Sequence, residues 1–333
     1  MAVALMCGLA SLPARAADDA VAPFVDTLTD AVIHVDMTSV NIDAISAMYQ
    51  KAMDQSTMAQ AQKDQATQQM QKQLPVAKEW IANFTKAGGK DLYVVVSIRG
   101  LMAQQPGEIV VPLGAGADAD ALAKAFKPGG NAPANPQNAA AAAGETTTAV
   151  VGKCLVFCQN GELARLQSVA TAPAPAHSDL LDALGSTGSG SVHIAVGGVG
   201  LQIAGTQLAS LTGMRPNQQM SNLSWAALGC SLPPTESLSL TMNCKTPEAA
   251  ALMLSSLNKQ IDQMRNDPQS IKRLGDQTNK LADALKPAAD GTKITMSLDQ
   301  STIDGVLPVI MKNSQPIQTP VPMSNGGGGM PQN

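Results

Sequence analysis

Few residues of this 333-residue chain could carry chemistry. Its three histidines, His34, His177 and His193, are far apart in sequence, whereas a metal site or catalytic triad wants a histidine beside a carboxylate, a cysteine or a second histidine. His34 and His193 fall in the middle of two similar β-branched stretches, 31–36 and 191–196, so pseudo-symmetry between two halves could bring them near each other. With Asp36, at the end of the first stretch, they form the default candidate catalytic set. The same residues are explained without chemistry as strand histidines hydrogen-bonded at a sheet surface and an aspartate capping the next helix. His177 follows Pro173 and Pro175 and reads as a solvated linker residue.

The other constellations lead away from metals and cofactors. Cys154 and Cys158 lack the two-residue spacing of a zinc knuckle or redox pair, and no second Cys/His pair completes a ligand set. On an extended strand they would lie about 13 Å apart, too far to bridge. Cys230 and Cys244 flank a hairpin expected to turn at Pro233-Pro234, where symmetric pairing places Cys230 opposite roughly Ser237. Buried free thiols are expected, with a link between halves, such as Cys158 to Cys244, left open. Gly198-Val-Gly200 follows a strand as a dinucleotide loop would, but Ile203 replaces the third glycine, so a loop needing positive φ is expected instead. Asp26 and Asp30 lie near the first strand, and Asp118 and Asp120 suit a helix N-terminus. Among the 17 methionines, Met48, Met53 and Met58 are five apart and do not share a helix face, which favours packing over Cu(I) binding. No metal and no cofactor is expected.

Composition narrows the class further. Charged residues make up 14%, net charge is −4 and pI is near 5.4, so a phosphate backbone finds no basic footprint. Four Phe, two Tyr and two Trp are too few and scattered to stack bases or sugars. Residues 2–13 form a short apolar block, followed by Ala14-Arg-Ala16 and the acidic Asp18-Asp19. That pattern predicts a signal peptide over 1–16, cleaved after Ala16, and hence a periplasmic or extracellular location. No later segment is long and apolar enough to cross a bilayer, 191–205 being interrupted by His193, Gln202 and several glycines.

Periodicity then orders the elements. A strand at 31–36 precedes a helix carrying Ile42, Ile45, Met48 and Tyr49, expected to run on through the Gln/Met/Ala-rich stretch to Gln73 and to break or kink at Pro75. A second apolar stripe, Leu74 to Phe84, ends at Gly88-Gly89. Strands at 91–98 and 107–113, a short helix at 118–126 and strand character at 147–157 complete a β-α-β-β-α-β unit. Residues 127–146 read as loop. The order then repeats: a strand at 191–196, a helix at 201–211, strands at 223–231 and 237–243, helices from Thr246 to Leu285, a strand at 293–298 and a last helix from Ser301 to Lys312. The expected fold is α+β, with two ferredoxin-like β-α-β-β-α-β repeats of antiparallel sheet over 20–170 and 175–315, and a long extra helix in the first. The Pro/Gly tail 316–333 reads as disordered.

Val35-Asp36 closing the first strand, Leu92-Tyr-Val-Val-Val96, and Val111-Pro-Leu113 before an acidic helix start, all behind a signal peptide, give a chain that resembles uncharacterised exported bacterial proteins of repeated α+β architecture. The resemblance implies export and a repeated build, with no activity to carry onto any residue. The function expected is therefore a non-enzymatic exported binding or interaction protein, using the Gln/Met-rich helix around Ala52–Gln73 or the surface between repeats. A protein partner or self-association would follow, and no nucleic acid. The alternatives are a small-ligand binder or enzyme with a cleft between repeats, built on His34, His193 and Asp36, and an envelope-associated structural protein.

Overall fold

A computed structural model describes residues 19–55, 59–97, 107–126, 146–171, 178–188, 190–202, 218–275 and 277–313. The first half contributes strands β1 (Ala31–Asp36), β2 (Asp91–Val96), β3 (Glu108–Pro112), β4 (Thr146–Val151) and β5 (Cys154–Gln159). Its helices are α1 (Ile42–Gln55), α2 (Gln60–Lys86), α3 (Ala119–Ala125) and α4 (Leu163–Ala170). Helix α5 (Ser178–Gly185) leads into the second half, with β6 (Val192–Gly197), β7 (Leu223–Ser231), β8 (Ser237–Cys244), β9 (Ala288–Asp290) and β10 (Lys293–Leu298). Helices α6 (Pro247–Asn266), α7 (Pro268–Leu274), α8 (Gln277–Ala284) and α9 (Gln300–Asn313) complete it.

All ten strands join one antiparallel sheet in the order β4-β5-β3-β2-β1-β6-β7-β8-β10-β9. The fold is thus α+β, and β1–β6 is the seam where the two halves meet. Outward from the seam the order is 1-2-3-5-4 on one side and 6-7-8-10-9 on the other. The expected ferredoxin-like order is not confirmed: β1 pairs directly with β2, where a split β-α-β unit would place another strand between them. Each half also has five strands, because 147–157 folds back at Gly152 (φ 60) into β4 and β5, and short β9 precedes β10.

Period-2 alternation sets the two faces. On one face Val32, Tyr93, Val95, Val110, Val156, Ala195 and Trp225 form a buried core under the turn at Ala22–Phe24, α4 and α5. On the other, Val111 and Leu155 are covered by Phe84 at the end of α2 and by Leu122 of α3. Met242, Ile294 and Cys244 on that same face are covered by Ala250 and Met253 of α6. Side-chain caps start three of the helices: Asp118 accepts from Ala121 N at 2.9 Å, Thr246 from Ala249 N at 3.2 Å and Asp267 from Ser270 N at 2.8 Å.

Two expectations about the first helix need correction. The helix does not run on from Asn41 to Gln73: α1 ends at Gln55 and α2 starts anew at Gln60. Nor does Pro75 end a helix, since α2 continues across it. Proline orphans the carbonyl four residues back, and that residue, Gln71, is exposed. The glycines after β6 are also different from expectation, since 198–202 is helical and Gly198 and Gly200 have no positive φ. They are needed for closeness: a Cβ on Gly198 would lie 2.9 Å from Leu223 O, and one on Gly200 3.0 Å from Asp30 O. Residues 1–16, His177, most of the loop 127–146, the rest of the 201–211 helix and the tail 316–333 lie outside the described residues.

Candidate functional site

The seam carries the sequence-predicted residues. His34 and His193 are paired directly across β1 and β6, and alternation turns both toward the α5 face. Their rings stack with centroids 5.4 Å apart and 13° between planes, and Tyr93 stacks on the far side of His34 at 4.4 Å. Tyr93 is paired with His34 across β1 and β2, so one register row makes the column of three rings. His34 Nε2 lies 2.9 Å from Asp91 Oδ1. His193 Nε2 lies 2.9 Å from Gly190 O, and its Nδ1 meets the Thr187 hydroxyl. Burial holds the His193 pKa below 6.5, Gly190's carbonyl works against that, and His34 adds to it.

Asp36 does not join the hydrogen bonds of this column. Its Oδ1 accepts from Thr38 N at 2.9 Å and Thr38 Oγ1 at 2.6 Å, which closes the turn before α1. The carboxylate on His34 is Asp91, the residue paired with Asp36 across β1 and β2. Sequence spacing hid it, because 57 residues separate Asp91 from His34. Both histidines are almost fully buried, at 8% and 7% exposure. Three open grooves among the described residues lie elsewhere: about 670 Å³ along α6 beside Leu254 and Asn258, about 500 Å³ between α2 and α3 beside Trp80 and Asp118, and about 400 Å³ between α1 and α2 beside Gln50 and Lys63. The column therefore has its polar groups satisfied by the protein, as a structural site does.

A second polar cluster was missed. Arg165 on α4 meets three carboxylates: its Nη1 pairs with Asp26 Oδ2, its Nη2 with Glu108 Oε1 at 2.6 Å and its Nε with Glu162 Oε2 at 2.6 Å. Burial raises the Glu108 pKa, although Arg165 pulls the other way. The cluster ties the N-terminal segment to β3 and α4. Nearby Cys158 is pushed up to about 11 and Cys154 to about 12, chiefly by burial. All four cysteines among the described residues are free, and β7–β8 pairing puts Cys230 opposite Leu238 and Cys244 opposite Leu223. No group of three or more His, Cys, Asp or Glu among the described residues could hold a metal ion.

The opposite face of the seam is apolar. Val94, Ile33, Ile194 and Leu228 form one register row across β2, β1, β6 and β7, flanked by rows through Ala31 and Val196 and through Val35 and Val192. These side chains are half-buried, whereas their strand neighbours Val32, His34, His193, Ala195 and Ala227 on the other face are buried. The four lie between the α2–α3 and α6 layers, which are linked through α1, α9 and α8; Lys51 Nζ is 3.4 Å from Asp304 Oδ1 where α1 meets α9. No described helix is long and apolar enough to cross a membrane.

No protein-family model matches the chain, and no curated protein or solved structure matches it either.

Proposed function

We propose that this is a non-enzymatic exported binding protein, built from two related five-stranded units, that engages a partner protein through the first half of α2. One observation carries the reading. Over 60–73 the helix is continuous, yet none of its side chains is buried. A helical stretch with only a narrow half-buried stripe, Lys63, Ala66, Thr67 and Met70, has little of its own to hold it, since helices in proteins draw most of their stability from an apolar face packed on something else. Helix α1 supports one side, with Lys63 Nζ donating to Asp54 O at 3.1 Å. Seven glutamines between Gln60 and Gln73, against only Lys63, Asp64 and Lys72 as charges, suit a neutral partner helix that exchanges amide hydrogen bonds. The beginning of the Gln/Met-rich stretch has a different role: Ala52 and Met53 are buried, and α1 packs against α9 of the second half.

Export rests on residues 1–16, and relatedness of the halves on their matching strand order. The test uses the tagged chain from Ala17, beside a variant with Gln62→Glu, Gln65→Glu and Gln69→Glu. A partner captured from the exported fraction, identified and re-bound in pure form, should bind at least tenfold more weakly to the variant while both keep the same melting temperature. Equal binding by both chains refutes the α2 surface.

A second reading, a ligand held between the halves, is favoured by the half-buried row Val94, Ile33, Ile194 and Leu228. It predicts that Ile33→Thr with Ile194→Thr, and not the glutamine variant, abolishes binding.

A further inference from the structure

We infer that the stacked pair His34–His193 is an acid-sensitive latch at the seam, closed while His193 is neutral and opened when His193 takes a proton. Hydrogen-bond accounting fixes the closed state. Gly190 O can only accept, so His193 Nε2 carries the proton of that 2.9 Å bond. The Thr187 hydroxyl has one proton and two neighbours to serve, His193 Nδ1 and Leu184 O at 2.9 Å. With His193 neutral it donates to Nδ1. A proton arriving at Nδ1 turns the hydroxyl round, so that Nδ1–H donates to Thr187 Oγ1 and the hydroxyl proton moves to Leu184 O. Thr187 thereby reports the state of His193 to the end of α5.

The surroundings set the cost of a charge on His193. Asp91 from β2 bonds His34, and Tyr93 from β2 covers its far face. Asp36 from β1 acts on His193 only through space, with its carboxylate engaged by Thr38. Helix α5 presents Leu184 and Thr187, β7 presents Gly229 and β8 presents Ser239, none of them titratable. A proton on His193 is therefore opposed by burial and by the His34 ring stacked 5.4 Å away, and helped by Gly190 O and Asp36. Once it arrives, a buried imidazolium sits on the strands that join the halves.

The test is an NMR titration of the imidazole signals, with amide hydrogen exchange along β1 and β6. His193 should titrate below an ordinary histidine, and exchange at Asp36 and Gly197, whose N–H groups donate across the seam to Ser191 O and Asp30 O, should accelerate over the same pH interval. His34→Gln removes the neighbouring imidazole and should raise the His193 midpoint. Asp36→Asn leaves both rings in place and should lower it, which guards against a misfolded His34→Gln. A His193 midpoint that neither substitution moves, or seam exchange that ignores the His193 step, overturns the latch.

Discussion

Gly229 on β7 lies directly beneath Thr187 at the end of α5, so close that a Cβ there would stand 2.7 Å from Thr187 O and 2.9 Å from Thr187 Cβ. Ser239 Oγ, which donates to Thr187 O at 3.1 Å, would be 2.7 Å away as well. The glycine lets the helix end descend onto the sheet far enough for Thr187 to reach His193. Gly229→Ala should therefore destabilise the protein by about 1–3 kcal/mol, the usual cost of overpacking. Adding Ser239→Ala should not restore the melting temperature, because the Thr187 carbonyl remains in the way.

Arg165 is the one basic partner shown for Asp26 and Glu108, whose side chains are 16% and 12% exposed. Arg165→Met leaves these carboxylates facing each other without a cation. A loss of about 3 kcal/mol is expected in urea unfolding, by analogy with broken buried pairs. Glu162 is 41% exposed, so Glu162→Gln should cost under about 1 kcal/mol. Equal losses for the two variants would remove the cluster from the account of stability.

The depressed pKa of His193 makes stability pH-dependent. The unfolded chain binds this proton more readily than the folded one, so stability is complete above the unfolded value near 6.5 and falls as pH drops through it toward the folded value. His193→Gln should flatten the stability profile below about pH 6.5, whatever it does to stability at pH 8. An unchanged slope in that interval would show that His193 does not titrate on unfolding.

Thiol labelling separates the cysteines. Cys154, Cys158 and Cys244 are buried, and Cys230 is half-buried. Burial also raises all four thiol pKa values, so little thiolate forms at pH 8. In a chain starting at Ala17, one thiol, Cys230, should react first with a disulfide reagent, and all four should react in denaturant. Fewer than four under denaturing, non-reducing conditions would mean a disulfide.

Much of the local order was legible because it depends on local physics. β-Branched residues marked β1, β2 and β6, and Asp118 and Thr246 marked the helix starts they cap. Short elements escaped: α4, α5 and β9 are three to eight residues long, too short for a period to stand out. The break between α1 and α2 escaped as well, since no Gly or Pro marks it.

The residues of the seam show where sequence stops. His34 and His193 could be seen as similar positions in similar strands, because the pattern around each is a property of a few adjacent residues. That they stack depends on β1 pairing with β6 in one particular register, a contact between segments some 160 residues apart. The β1–β2 register brought Asp91 rather than Asp36 to His34, and the β6–β7 register set Gly229 beside His193 and under Thr187. By itself the sequence determined where most of the longer strands and helices would lie. Only the tertiary structure decided which strands became neighbours, which of the two faces of the seam was sealed and which was left half-covered, because those outcomes follow from long-range pairing that no local pattern encodes.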